Sequence, residues 1–492
     1  MFRHRLHVLQ IMVLLFPMVT TGLSAQHRPD QFITRDFVEA NIRFLSHDLL
    51  EGRKTGARGN ATAALYIAES FRSMGVRPLP VLNDYNQEIG FSEISPASKI
   101  DLNIGDVAVA AENVVVMQGV DIDFRGDVIY AKQAWGSDLD GLDIAGKYVL
   151  AYLGSPDVQS AQDAFGISPQ KIEALKEKKA LGLIEIYNGR IPWTYVKRFM
   201  DSPRMRIEEV GETSLPHIIV NHDLKKTIEM MEQEGVSQLA LVSDGVDRHT
   251  VISSNVVGLI EGVDPELKDE CIVLSAHYDH IGMGKATEDG DSIYNGARDN
   301  AIGCAALLSA VKYMSVNKPR RSVICVAFTG EEMGLLGSQY FVDHPVVPLE
   351  QMVFNLNSDG AGYSDTSIIS IMGMGRISVA DILEEAIVSV GLTAFADPAP
   401  EQNLFDRSDN VSFAKKGIPA PTFTPGFKEF DDKIMGTYHQ MSDEAEGLSY
   451  SYLRKYCEAF AKAALMVADA DERPKWKEGD KYESVFKMLY EK

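Results

Sequence analysis

From residue 271 onward, short uninterrupted apolar runs alternate with helix-like segments, and that alternation leaves few folds open. "CIVLSAH", "SVICVAFTGEE" and "MVFNLNSDG" are each short enough for a strand, whereas "AIGCAALLSAVKYM" and "ISVADILEEAIVSVG" have helical length. A strand without polar alternation must be covered on both faces, which predicts a parallel-rich sheet between layers of helices. The expected class is α/β, a doubly wound mixed, mostly parallel sheet with helices on both faces. Each run ends in acidic residues or His at its C-terminal tip. Open α/β sheets hold their ligand crevice at those tips.

The preceding residues divide in two. Residues 26–95 read as helix, Gly-rich loop and helix, with Ala61, Ala64, Leu65, Ala68 and Phe71 as the expected buried face of the second helix. Residues 96–250 have a different texture. Short strands such as "DVIYA" and "GKYVLAYLG" alternate with turns, and the helix "KIEALKEKKA" leads into "LGLIEIY". We expect them to form a β-rich domain inserted into an α/β domain built from 26–95 and 251–492. A chain of 492 residues suits two such units.

Charge and the N-terminus bear on partners and location. Seventy acidic against 48 basic residues give a net charge of −22. A surface of that sign repels phosphate backbones, so nucleic acid is not an expected partner. Arg3 and Arg5, the apolar stretch "IMVLLFPMV" and then "TTGLSAQ" follow the order of a secretory signal, with cleavage expected after Ala25. Residues 1–25 are therefore read as a signal peptide and the protein as secreted or periplasmic, with no transmembrane segment after cleavage. Cys271, Cys304, Cys325 and Cys457 show neither CxxC nor any close metal spacing, and no disulfide pair is indicated.

The polar groups at the run tips are His277 and Asp279, Asp299 in "NGARDNAIG", Glu331 and Glu332 in "FTGEEMG", Asp359 in "NLNSDGAG" and His439 in "TYHQMSDE". Imidazole and carboxylate together suit a borderline divalent metal, zinc above all. Five ligands from five strand ends or loops suffice for two metals with one carboxylate bridging, an arrangement that activates water and polarises a carbonyl. Adjacent glutamates in extended backbone point apart, so one binds metal while the other serves as general base.

The order H-x-D, G-x-x-D-N-A-x-G, G-E-E-x-G-x-x-G-S, N-x-D-x-x-G and Y-H closely resembles the M28 metallopeptidases, over residues 35–95 and 250–465. These are zinc-dependent aminopeptidases and carboxypeptidases with a doubly wound α/β fold. The intervening segment is similar to a protease-associated (PA) domain, through "LDIAGKYVLAYLG" and "KKALGLIEIY". The resemblance implies His277, Asp299, Glu332, Asp359 and His439 as ligands of two zinc ions, with Asp299 bridging and a cis peptide between Asp299 and Asn300. It implies Asp279 behind His277, Glu331 as general base and Tyr438 on the oxyanion. "FDRSDN" and "PTFTPG" place Arg407, Asp409 and Phe423 near the substrate. Arg298, Ile302 and Asn410 depart from the pattern, and none is an implied ligand.

The function implied is a secreted zinc aminopeptidase acting on peptides or proteins. Its alternatives are a carboxypeptidase or dipeptidase of the same family, or a non-catalytic PA and peptidase-like binding protein. The binding protein is disfavoured because every ligand and Glu331 is present. A serine hydrolase is disfavoured because "SPQK" and "KTG" stand in the wrong order and no GxSxG occurs. His280 is expected in a supporting or loop role, and His217, His222 and His344 at the surface.

Overall fold

The apolar runs are strands buried along their whole length. The computed structural model describes residues 29–156, 161–208, 215–288 and 290–491, so the expected signal peptide at 1–25 lies outside the described residues. Among those described, nine strands form the larger sheet, labelled here in chain order. They are β1 (Asn86–Ser95), β2 (Arg204–Ile207), β3 (Asp247–Ile260), β4 (Cys271–His277), β5 (Ser322–Phe328), β6 (Met352–Ser358), β7 (Ile368–Met372), β8 (Thr393–Ala396) and β9 (Thr422–Pro425). Their spatial order is β8-β7-β9-β6-β4-β5-β3-β1-β2.

β4, β5, β6 and β9 run parallel at the centre. β1, β2 and β3 are antiparallel, and β3 joins β5 antiparallel. β7 is parallel to β8 and antiparallel to β9. The sheet is thus more evenly mixed than expected, while the strands that end in His and acidic residues keep the parallel pairing.

Both faces are covered. Ile272, Leu274 and Ala276 of β4 join a core with the helices Arg35–Leu45, Arg58–Ser73, Ile302–Val316 and Tyr450–Asp469. Val273 points the other way, to Phe341, Val342 and Phe413. Each fully buried Leu or Phe of this kind contributes about 1.5–3 kcal/mol. On the helix Arg58–Ser73 the buried face is Ala63, Ala64, Ile67, Ala68 and Phe71. Leu65 is 62% exposed, so the face lies to one side of the one expected.

A second sheet of eight strands, with its own core, is built from strands lying between residues 100 and 245. The segment 96–250 is not wholly separate, since β2 and the start of β3, residues 247–250, belong to the larger sheet. His217 is not at the surface: it is 4% exposed, and its Nε2 is 2.8 Å from the buried Glu185 carboxylate.

Candidate metal centre

His277 ends β4, Glu331 and Glu332 follow β5 after Thr329 and Gly330, and Asp359 follows β6 directly. Parallel pairing of β4 with both neighbours sets these three tips side by side. Asp299 comes from the turn Ala297–Ala301 that opens the helix Ile302–Val316, and its peptide bond to Asn300 is cis. His439 arrives on a loop, in a left-handed backbone conformation with φ 56°.

Asp299 stands at the centre of these groups. Its Oδ1 is 3.2 Å from His277 Nε2, which in turn is 3.3 Å from Asp359 Oδ1. Its Oδ2 is 3.2 Å from His439 Nε2, which is 3.3 Å from Glu332 Oε2. One carboxylate therefore faces two sets of donors. Within the described residues, ligand atoms of His277, Glu331 and Asp359 lie within 4.8 Å of one another, as do those of His280, Asp299 and Glu332.

Asp279 takes a different place from the one expected behind His277. Its Oδ1 is 3.8 Å from His277 Nδ1, beyond a hydrogen bond, and that nitrogen is 3.2 Å from the Asp279 carbonyl oxygen instead. The Asp279 carboxylate accepts from Thr55 Oγ1 at 3.0 Å and from the Glu331 and Glu332 amides at 3.2 and 3.4 Å. It braces the glutamate turn, and its backbone faces the imidazole.

The charges around the cluster act on each other strongly. Burial drives the Glu331 carboxyl well above the usual range, with Asp359, Glu332 and Asp409 adding and His277 opposing. Glu332, the next residue in the chain, goes the other way. Burial and Asp299 push it up, but His280 and His439 outweigh them and bring it to about 2. Burial works against the charged form of His439, yet Asp299 and Glu332 raise it to about 10. Neighbouring glutamates are thus driven apart, one toward holding a proton and one toward staying ionised.

The centre opens into a cleft of about 390 Å³, lined also by Met372, Leu404, Arg407, Phe430 and Tyr438. Arg407 donates to the Tyr438 hydroxyl at 3.3 Å. Asp409 and Phe423, expected beside the substrate, are fully buried and do not line the cleft. Side chains alternate along a strand, so with Phe423 turned into the core against Phe460, Thr424 faces the cleft. Ser408 likewise takes the place expected of Asp409, donating to Asp359 Oδ2.

Sequence reasoning missed several supports. Asp443 accepts from the Asp299 amide at 3.1 Å and from the Arg298 amide and guanidinium. Arg53, only 1% exposed, donates to the carbonyls of Tyr278, Asn295 and Gly296, tying the end of β4 to the turn that carries Asp299. The only signal was an Arg inside a Gly-rich loop, and nothing in that pattern shows it to be buried.

Residues 255–464 match peptidase family M28. A vacuolar membrane protease of Saccharomyces cerevisiae is 31% identical over 157 residues, 32% of this chain and 14% of that protein. One from Lachancea thermotolerans is 34% identical over 126 residues, 24% of this chain and 12% of that protein. The chain thus aligns with about a seventh of the length of these curated relatives. An aminopeptidase from Aneurinibacillus sp. strain AM-1 shares the fold at 19% identity and a TM-score of 0.55, over 90% of this chain and 97% of that one.

These relatives overturn the secreted or periplasmic location read from the N-terminus, since they are named for a vacuolar membrane. Among the described residues no helix is long and apolar enough to cross a membrane. Residues 255–464, with their acids and histidines gathered at the tips of parallel strands, are thus the part of the chain that matches peptidase family M28.

Proposed function

We propose that the chain is a zinc-dependent exopeptidase that removes N-terminal residues from peptides, using two zinc ions. His277, Asp359 and one oxygen of Asp299 would hold the first; His439, Glu332 and the other oxygen of Asp299 would hold the second. The observation that carries this reading is the donor spacing of 3.2–3.3 Å around both oxygens of Asp299. Zinc bonds of about 2.0 Å put tetrahedral ligands about 3.3 Å apart. His280 Nδ1 is closer to Glu332, at 2.6 Å from Oε1, which is a hydrogen-bond distance. That supports His280 as the group that holds Glu332 in place and not as a further ligand.

Bound zinc supplies Lewis-acid polarisation of a carbonyl and eases the ionisation of water. Glu331 takes a proton from the attacking water and delivers it to the amine nitrogen as the C–N bond breaks. Its carboxylate lies among the ligand atoms of His277 and Asp359, all within 4.8 Å of one another, which suits a group that must reach that water. Burial and then Asp299 keep the Tyr438 phenol protonated, able to donate to the developing oxyanion. The strands from 100 to 245 are read as the PA-like unit that shapes access.

Acidic side chains around the cleft suit a protonated α-amine. A C-terminal carboxylate would need cationic clamps. Of the two nearby arginines, Arg298 is held by Asp443 at 2.9 Å and does not line the cleft, which leaves Arg407. The test uses zinc-loaded protein and one peptide in two forms, with a free and an acetylated amine. The free form should lose its N-terminal residue, and the acetylated form should react slower by roughly tenfold or more. Equal rates with release of the C-terminal residue would make it a carboxypeptidase. No cleavage of either would make it a binding protein.

A further inference from the structure

The helix Trp193–Met200, which packs on the smaller sheet, is apolar on two sides and covered on one. Its inner stripe is Trp193, Val196 and Met200, spaced three and four residues apart, and these join a small core with Leu153, Tyr187 and Ile219. Two hydrogen bonds fix that side to the strand at the sheet edge, Val114–Gln118, and to the turn before it. Lys197 Nζ donates to the Val114 carbonyl at 2.7 Å, and Trp193 Nε1 donates to the Glu112 carbonyl at 2.8 Å.

The outer side carries Tyr195 and Phe199, one turn apart and 66% and 74% exposed. Ile191, 45% exposed, stands in the turn that enters the helix, where its carbonyl accepts from the Tyr187 hydroxyl at 2.7 Å. Single exposed apolar residues are ordinary. Two aromatic rings and an isoleucine on one short helix and its entry turn are a patch.

Charge accompanies the patch. Arg190 precedes Ile191, and Arg198 precedes Phe199. Both arginines are exposed, and among the described residues neither has a hydrogen bond or an ion pair. Asp201, the acid that follows the helix, is already paired with Lys197 at 2.6 Å. In a chain of net charge −22, two unpaired guanidiniums beside exposed rings are a local exception.

We propose that this face docks on an anionic lipid surface, whatever the metal centre catalyses. Ile191, Tyr195 and Phe199 enter the boundary between headgroups and acyl chains, where aromatic rings are favoured. The Arg190 and Arg198 stems lie along the apolar patch while their guanidiniums reach lipid phosphates. A layer with phosphates outside and hydrocarbon beneath meets the charge and the rings at once, and this favours lipid over a protein groove. The net negative charge of the chain opposes approach to such a surface, so binding depends on this face.

Flotation of the full chain with vesicles tests the proposal, using phosphatidylcholine alone or mixed with roughly a third phosphatidylserine. The mixed vesicles should bind roughly tenfold more strongly, and added salt should shrink the difference. Arg190→Gln/Arg198→Gln should remove the preference for phosphatidylserine. Tyr195→Ser/Phe199→Ser should remove binding to both vesicles, with circular dichroism unchanged because the replaced side chains face outward. If that variant does not fold, Phe199→Ser alone serves, and it should weaken binding to both. Absence of binding to the mixed vesicles, equal binding to both kinds, or binding that the variants leave intact overturns the proposal. A dimer in solution that Phe199→Ser dissociates also overturns it, since the face is then a contact between two copies of the chain.

Discussion

Two adjacent glutamates on one turn end in opposite electrostatic states, because their neighbours differ. Glu332 faces His280 and His439, whereas Glu331 is buried among Asp359, Glu332 and Asp409 with His277 against them. Glu331→Gln keeps the shape of the side chain and removes its capacity to accept a proton. Turnover should fall by about 10²–10⁴-fold while zinc content, measured by elemental analysis, stays the same. Loss of zinc would mean that the two roles are exchanged. The pair itself was legible in "FTGEEMG", as was Asp359 rather than Asn357. Asn357 is inside the sheet, where it accepts from Ser275 at 2.7 Å and donates to Ser408 at 2.8 Å. Ser408, Thr55 and Asp443 were not legible, because a hydroxyl or carboxylate in a loop looks the same whether it braces a ligand or meets water.

At the scale of elements, periodicity located the helix Arg58–Ser73 but set its face one step off. Ile67 is the buried centre and Leu65 looks outward, since burial follows the packing partner and not hydrophobicity alone. The smaller sheet holds a clearer surprise. Glu185 on the strand Gly182–Ile186 accepts from Ser168 at 2.5 Å and Lys171 at 2.7 Å, beside His217 on the strand His217–Val220. The "SPQK" residues thus pin the helix Ala161–Glu177 to the sheet, and Lys171 is wholly buried.

Glu185→Leu leaves that ammonium without its anion, and breaking a buried pair costs about 3–5 kcal/mol. Burial raises the Glu185 carboxyl, but His217 and Lys171 outweigh it and hold it below its ordinary value. A lowered folded value means that the stabilisation is complete above the unfolded Glu range, about 4.3, and is lost as pH falls through the folded value. Amide exchange in the strands Gly182–Ile186 and His217–Val220 should be faster in the variant at neutral pH. The gap from the unaltered protein should narrow below about pH 4. A gap that stays constant with pH would show that Glu185 contributes through packing alone.

For the molecule as a whole, the acidic centre joins segments that are far apart in sequence: the loop at Arg53 and Thr55, three strand tips, and the loop of His439 and Asp443. Anything that binds there also ties those segments together. Zinc at a hundred times its dissociation constant should stabilise the folded chain by about 2.7 kcal/mol, and chelation should reverse the gain. Scanning calorimetry with and without zinc measures it, and an unchanged midpoint would mean that these donors do not bind the ion.

The sequence alone determined the α/β class and which polar residues end its apolar runs. Continuous apolar strands must be covered on both faces, and the tips of such strands gather at one edge. Tertiary structure alone decided which side chains meet. It turned Asp279 toward the glutamate amides, buried Asp409 and Phe423, and drew His280 onto Glu332. Those outcomes depend on register, on loop paths and on contacts between residues hundreds of positions apart, none of which leaves a local pattern in the chain.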